Sequence, residues 1–149
     1  MESFKKIIRH LILAALLTWI STTQVWAQQE LSWNTLEDFD YVEKEDGFWG
    51  IEFGEAVRKL AGTSIKIYGF MMPLENSMKQ SHFILSMMPL DGCQFCAPGT
   101  QAQFIEVKVS EGEGIEYTLE PIDISGTFEL LPDAPIGVYF LVKDAELVD

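Results

Sequence analysis

The chain has 149 residues, with 23 acidic against 10 basic side chains and a formal net charge of −13. Proteins hold phosphates with Lys and Arg that displace counterions, so a surface of this sign excludes nucleic acid and disfavours an anionic membrane as partner. The length is that of one domain with a modest but sufficient core.

The first 27 residues read as an export signal. Lys5, Lys6 and Arg9 form a positive n-region, Leu11 to Ile20 is an apolar run, and Val25-Trp26-Ala27 is a small-x-small cleavage site. That layout predicts a signal peptide over 1–27, with Gln28 as the first mature residue. The apolar run falls well short of the roughly 20 residues that span a bilayer. Membrane contact is therefore expected only in transit through the signal peptide. No cysteine near the cleavage site offers a lipid anchor. The expected location is the periplasm, as a soluble chain of 122 residues with 7 basic and 22 acidic side chains, net −15.

Residues 28–50 form an acidic N-terminal arm with scattered aromatics, expected to dock on the core. Trp33-x-x-Leu36 has helical-turn spacing, with Ser32 or Asn34 as a cap. Phe53, Val57, Leu60 and Ala61 then recur at helical spacing before Gly62, which predicts a two-turn helix. From Thr63 the period changes to two. Ile65, Ile67 and Gly69 alternate with Lys66, Tyr68 and Phe70 in a first strand ending at Pro73. A second strand is expected from His82 to Met88, stopped by Pro89, and a third around Phe104, Ile105, Val107 and Val109. A fourth is expected from Ile115 to Leu119 and Ile122 to Leu130, bent at Pro121 and Gly126, and a last one from Gly137 to Leu147. The Met-Met-Pro-Leu-acidic sequence at 71–75 and again at 87–91 marks two strands ended the same way, by a residue that cannot donate to a ladder. Five or six short strands with one small helix predict a mainly β protein, a small closed or nearly closed barrel over residues 51–149.

The chemistry concentrates between the second and third strands. Cys93 and Cys96, the only cysteines, form a Cys-x-x-Cys pair in Asp91-Gly92-Cys93-Gln94-Phe95-Cys96-Ala97-Pro98. In an oxidising compartment their default state is a disulfide. Closing so small a ring stabilises the fold by roughly 2 kcal/mol, so it shapes the loop more than it holds the barrel. The first functional reading is a soft-metal site, with two thiolates on zinc or cuprous copper. Zinc wants four ligands, and His82 is the only histidine of the mature chain. On an extended strand it stands about 20 Å from the cysteine end. His82 and Met72 are expected to share the far end. Asp91, Met87 and Met88 are closer candidates, and the thioethers suit copper better than zinc. The second reading is thiol–disulfide exchange, which needs a low-pKa thiol at a helix start or beside a cation. Neither feature follows Cys96, and the surrounding charge is negative. No Gly-x-Ser-x-Gly occurs, so a hydrolase is disfavoured.

The order Trp33-x-x-Leu36, Gly62-x-x-Ile65-x-Ile67-x-Gly69-Phe70-Met71-x-Pro73-Leu74, Phe83-x-Leu85 and Gly92-Cys93 resembles an uncharacterised bacterial exported family, a domain of unknown function. The similarity covers most of residues 31–148. It implies an OB-like β-barrel and export, and it supplies no activity. Relatives follow the first cysteine with histidine or cysteine and a proline run; here Gln94 and Phe95 precede Cys96, and Pro98 alone remains. A thiol near a histidine or second cysteine would suit metal binding in the family the chain resembles. The combined expectation is a periplasmic accessory or binding protein rather than an enzyme. Its Cys-x-x-Cys loop would serve recognition of a partner protein or handling of zinc or copper, with disulfide exchange or a structural disulfide as alternatives.

Overall fold

The structure, a computed structural model, describes residues 28–43, 47, 49–89, 103–134 and 137–148. Residues 1–27, where a signal peptide and cleavage site are expected, and the expected site residues Asp91, Cys93 and Cys96 lie outside the described residues.

A closed five-stranded barrel forms the body, and its first strand, β4, sets the geometry. β4 (Ser64–Pro73) alternates as its sequence requires, with Ile65, Ile67, Gly69 and Met71 buried inward and Lys66, Tyr68, Phe70 and Met72 outward. Ten residues are long enough to serve two neighbours in succession. Ser64 to Gly69 pair antiparallel with β9 (Ile122–Leu130), in the register Ile65↔Gly126 and Tyr68↔Asp123. Phe70 to Pro73 pair instead with β6 (His82–Ser86), as Phe70↔Ser86 through Pro73↔Phe83. The changeover falls at Gly69, where a β-carbon would come within 2.7 Å of Ser86 O and 3.1 Å of Trp33 Cζ2. Only a glycine lets the strands approach so closely.

β6 pairs antiparallel with β7 (Phe104–Val109), and β7 runs parallel to β10 (Phe140–Val148). β10 returns antiparallel to β9, and the β4–β9 ladder closes the ring. The order β4-β6-β7-β10-β9 around the barrel is the Greek-key connectivity of an OB-like fold. The expected mainly β, OB-like barrel with one short helix is thus the fold found.

β10 bends through a bulge, where the register slips between Lys143 and Glu146 and Asp144 adopts φ +49°. Gly126 faces that bulge, with room for no β-carbon: Val142 Cγ1 would lie at 2.6 Å and Lys143 O at 2.7 Å. β9 runs unbroken through Gly126, which pairs with Ile65.

The N-terminal region is more structured than an arm. β1 (Gln29–Glu30) adds parallel to the edge of β4, and a 3-10 turn over Trp33–Glu37 buries Leu36. Ser32 occupies its N-cap position without a capping hydrogen bond. β2 (Phe39–Glu43) and β3 (Trp49–Phe53) form an antiparallel pair that sequence patterning did not predict. Its Phe39 and Phe53 pack on Phe140 at centroid distances of 6.3 and 5.9 Å, and Phe140 stacks on Phe128 at 6.0 Å.

Helix α1 (Glu55–Leu60) follows, shorter than the predicted span because Phe53 ends β3. Asp38 caps it from outside, accepting from the Ala56 N–H at 2.8 Å, while Glu55 at the start and Lys59 at the end complement the dipole and pair at 2.6 Å. Gly62 at φ +77° turns the chain out of the helix, as expected.

Three strand limits differ from expectation. The second barrel strand stops at Ser86, because the Met88 N–H turns back to Ser86 Oγ (3.3 Å). Ile115–Glu116 is a separate short strand, β8, paired with β5 (Lys79–Gln80) rather than part of β9. The last strand begins at Phe140, after Gly137 has taken φ +74°.

Candidate functional site

The two cysteines sit between β6 and β7, and what the structure describes of that connection is its stem. Met87 donates its N–H to Gln103 O at 3.0 Å, adding one rung beyond the ladder and setting the point where the loop leaves the barrel. Met87 and Met88 follow one another there with 41% and 47% of their surfaces exposed. Methionines in strands usually pack, whereas these two side chains are exposed at the stem of the cysteine loop.

His82 lies elsewhere. It opens β6 opposite Lys108, four residues before Ser86 and roughly 13 Å along the strand. Its Nε2 is 2.8 Å from Glu106 Oε1, and the same oxygen accepts from Lys108 Nζ at 3.0 Å. Glu106 is mostly buried, so it holds His82 on the outer face of β6 and β7, away from the loop stem. Met72 lies toward His82's end of the β4–β6 ladder, as expected: it pairs with Ile84, two residues from His82 on the same face, and packs with Phe104 and Val138. The sequence candidates thus divide: Met87 and Met88 stand together at the stem, and His82 stands apart. Among the described residues no group of three or more His, Cys, Asp or Glu side chains is placed to hold a metal.

Beside the stem lies a cleft of about 510 Å³, lined by Glu30, Trp33, Lys66, Tyr68, Met87 and Asp123 among others. The β-ladders explain why these residues meet. Glu30 pairs with Lys66, and Tyr68 pairs with Asp123. Trp33 donates its indole N–H to Tyr68 O at 2.8 Å, and Lys66 Nζ is 3.3 Å from Asp123 Oδ2. Tyr68 is more than half exposed, with its ring held edge-on by Phe70 at 6.4 Å. Sequence reasoning placed Lys66 and Tyr68 on one face of a strand but missed the cleft, because Asp123 and Glu30 join that face only through pairing with β9 and β1.

The connection between β4 and β6 is built around Gln80, a fully buried side chain. Its carboxamide accepts from the Glu75 N–H (3.1 Å) and donates to Glu75 O (3.0 Å) and to Ser77 O. The Glu75 carboxylate accepts from the Ser81 N–H and hydroxyl, each at 2.8 Å. These bonds to Ser81, the backbone one foremost, hold the Glu75 carboxyl below the usual carboxylate range. This turn is a braced structural element. No described helix is long and apolar enough to cross a membrane.

A family model described as a protein of unknown function, DUF3299, matches residues 23–134. The crystal structure of a DUF3299 family protein from Pseudomonas aeruginosa PAO1 superposes with a TM-score of 0.55 at 18% identity, over 83% of this chain and 97% of that one. At that identity the likeness speaks to the fold. No curated protein matches the chain.

Proposed function

The chain belongs to DUF3299, a family of unknown function, and from that premise we propose that it is an exported periplasmic accessory protein that handles a thiophilic metal ion through Cys93 and Cys96. The three-part layout of residues 1–27 supports export. The observation that carries the metal reading is the exposed Met87–Met88 pair at the stem of the cysteine loop. Two thiolates with neighbouring thioethers form a soft donor set that favours cuprous copper. Zinc would draw on a nitrogen or further thiolate ligands, and the mature chain's only histidine is engaged by Glu106 on another part of the barrel. An accessory role fits so strongly acidic a chain.

The test begins with the native intact mass of the mature protein, purified from periplasm without chelator. It continues with anaerobic titration of the reduced protein with cuprous ion against a colorimetric chelator, and a parallel titration with zinc. One equivalent of copper is expected, lost in Cys93→Ser/Cys96→Ser and weakened in Met87→Leu/Met88→Leu, with the barrel intact in both. Tighter zinc than copper binding keeps metal handling but removes the thioethers from the site. A mass two hydrogens below the reduced formula, with no metal taken up after reduction, overturns the proposal in favour of a disulfide loop.

A further inference from the structure

We propose that the cleft between the N-terminal segment and the outer face of β4 and β9 is a binding site for an alkylammonium group. The inference rests on residues other than the cysteines and does not depend on the metal reading. At about 510 Å³ the cleft has the size of a small-ligand site. Its lining includes the aromatic residues Tyr68 and Trp33 and the apolar Met87, and its charged members are Glu30, Lys66 and Asp123.

Three features select the ligand. The Trp33 N–H is already donated to Tyr68 O, so the indole offers the cleft its ring rather than a hydrogen bond. Tyr68 is 53% exposed and its ring meets Phe70 edge-on at 6.4 Å, an aromatic side chain that the described residues leave largely open. Lys66 is neutralised by Asp123 at 3.3 Å, whereas Glu30 has no ion-pair partner among the described residues, leaving the cleft with a net charge of −1. Aromatic faces beside an unpaired carboxylate attract a cation through the ring quadrupole and directly through charge. An ammonium bearing carbon substituents also covers apolar wall that a bare metal ion would leave wet. The acidic surface as a whole raises the local concentration of cations and opposes phosphates and carboxylates.

The same group could arrive on a free amine or on a lysine side chain of a partner protein, and the experiment separates the two. The mature protein, labelled with 15N, is titrated with choline chloride and with a blocked Gly-Lys-Gly peptide, against sodium chloride of matched ionic strength. The mature chain has two tryptophans, Trp33 and Trp49, and Trp49→Phe assigns their indole N–H signals. A saturable shift of the Trp33 signal is expected, weakened about fivefold in Tyr68→Ala and weakened also in Glu30→Gln. Both side chains are exposed, so neither change threatens the barrel. Stronger binding of choline identifies a free amine as the ligand; stronger binding of the peptide identifies a partner's lysine. A shift no greater than that with sodium chloride for either probe, or one unchanged in Tyr68→Ala, overturns the proposal.

Discussion

Gly69→Ala is the sharpest perturbation of this fold, because the residue sits where β4 changes partners. The new methyl carbon would lie 2.7 Å from Ser86 O, 2.8 Å from Leu85 Cγ and 3.1 Å from Trp33 Cζ2. The leucine can rotate and the indole can tilt. The carbonyl cannot move alone, because Ser86 is paired with Phe70 in the β4–β6 ladder. Restoring ordinary contact means prising that ladder apart by several tenths of an ångström. Overpacking of this kind costs about 1–3 kcal/mol. For a domain of this size each kcal/mol lowers Tm by about 4 °C, so Gly69→Ala should melt roughly 4–12 °C below the parent in a calorimetric or circular-dichroism scan. The sign is informative, since at an uncrowded strand position Gly→Ala stabilises by about 0.5–1 kcal/mol. The Trp33 contact adds a second readout. Trp33→Phe withdraws the ring atom nearest the new methyl, so the double variant should be less destabilised than the sum of the two singles. A Tm equal to or above the parent's, or strict additivity with Trp33→Phe, would refute the close approach and with it the account of how the barrel closes.

Two further predictions concern elements that hold the site in place. Asp38→Ala removes the acceptor that caps α1 at Ala56 and should cost about 1 kcal/mol in urea denaturation, whereas Asp38→Asn, which keeps an acceptor, should cost less than half of that. Equal losses in the two variants would show that the carboxylate charge, not the cap, matters there. Glu75 is held below the ordinary carboxylate pKa by the Ser81 N–H and hydroxyl. Its contribution is therefore present above the unfolded value, near ~4.3, and disappears as pH falls through the lower folded value. Tm measured from about pH 6 to 3 should accordingly fall less steeply in Glu75→Gln than in the parent; parallel curves would remove Ser81 as the cause.

Much of the barrel was legible in local pattern. Ile65, Ile67, Gly69 and Met71 alternate with polar or exposed neighbours, and period-two alternation has one structural consequence, a strand with a buried face. Gly62 marked the end of α1, and Pro73 the end of β4, because each forbids the continuation of its element. The β2–β3 pair went unread because its alternating runs are short and Phe53 also fits the helical spacing of Val57 and Leu60, and because Phe39 and Phe53 acquire a core only when Phe140 arrives from the last strand. The cysteines stood out as chemistry on composition alone. Met87 and Met88 could be named but not placed, since a methionine reads the same in sequence whether it packs or faces water.

Single-residue periodicity, turn chemistry and charge are properties a chain carries before it folds, and they decided here that the protein is a small acidic β-barrel with both cysteines between the same two strands. Closure of β4 on β9, the crowding at Gly69, the capture of His82 by Glu106 and the meeting of Glu30, Trp33, Tyr68 and Asp123 belong to the tertiary structure. Each joins residues far apart in the chain, and their proximity is set by which strands pair and in what register. That choice is made by the packing of the whole core at once.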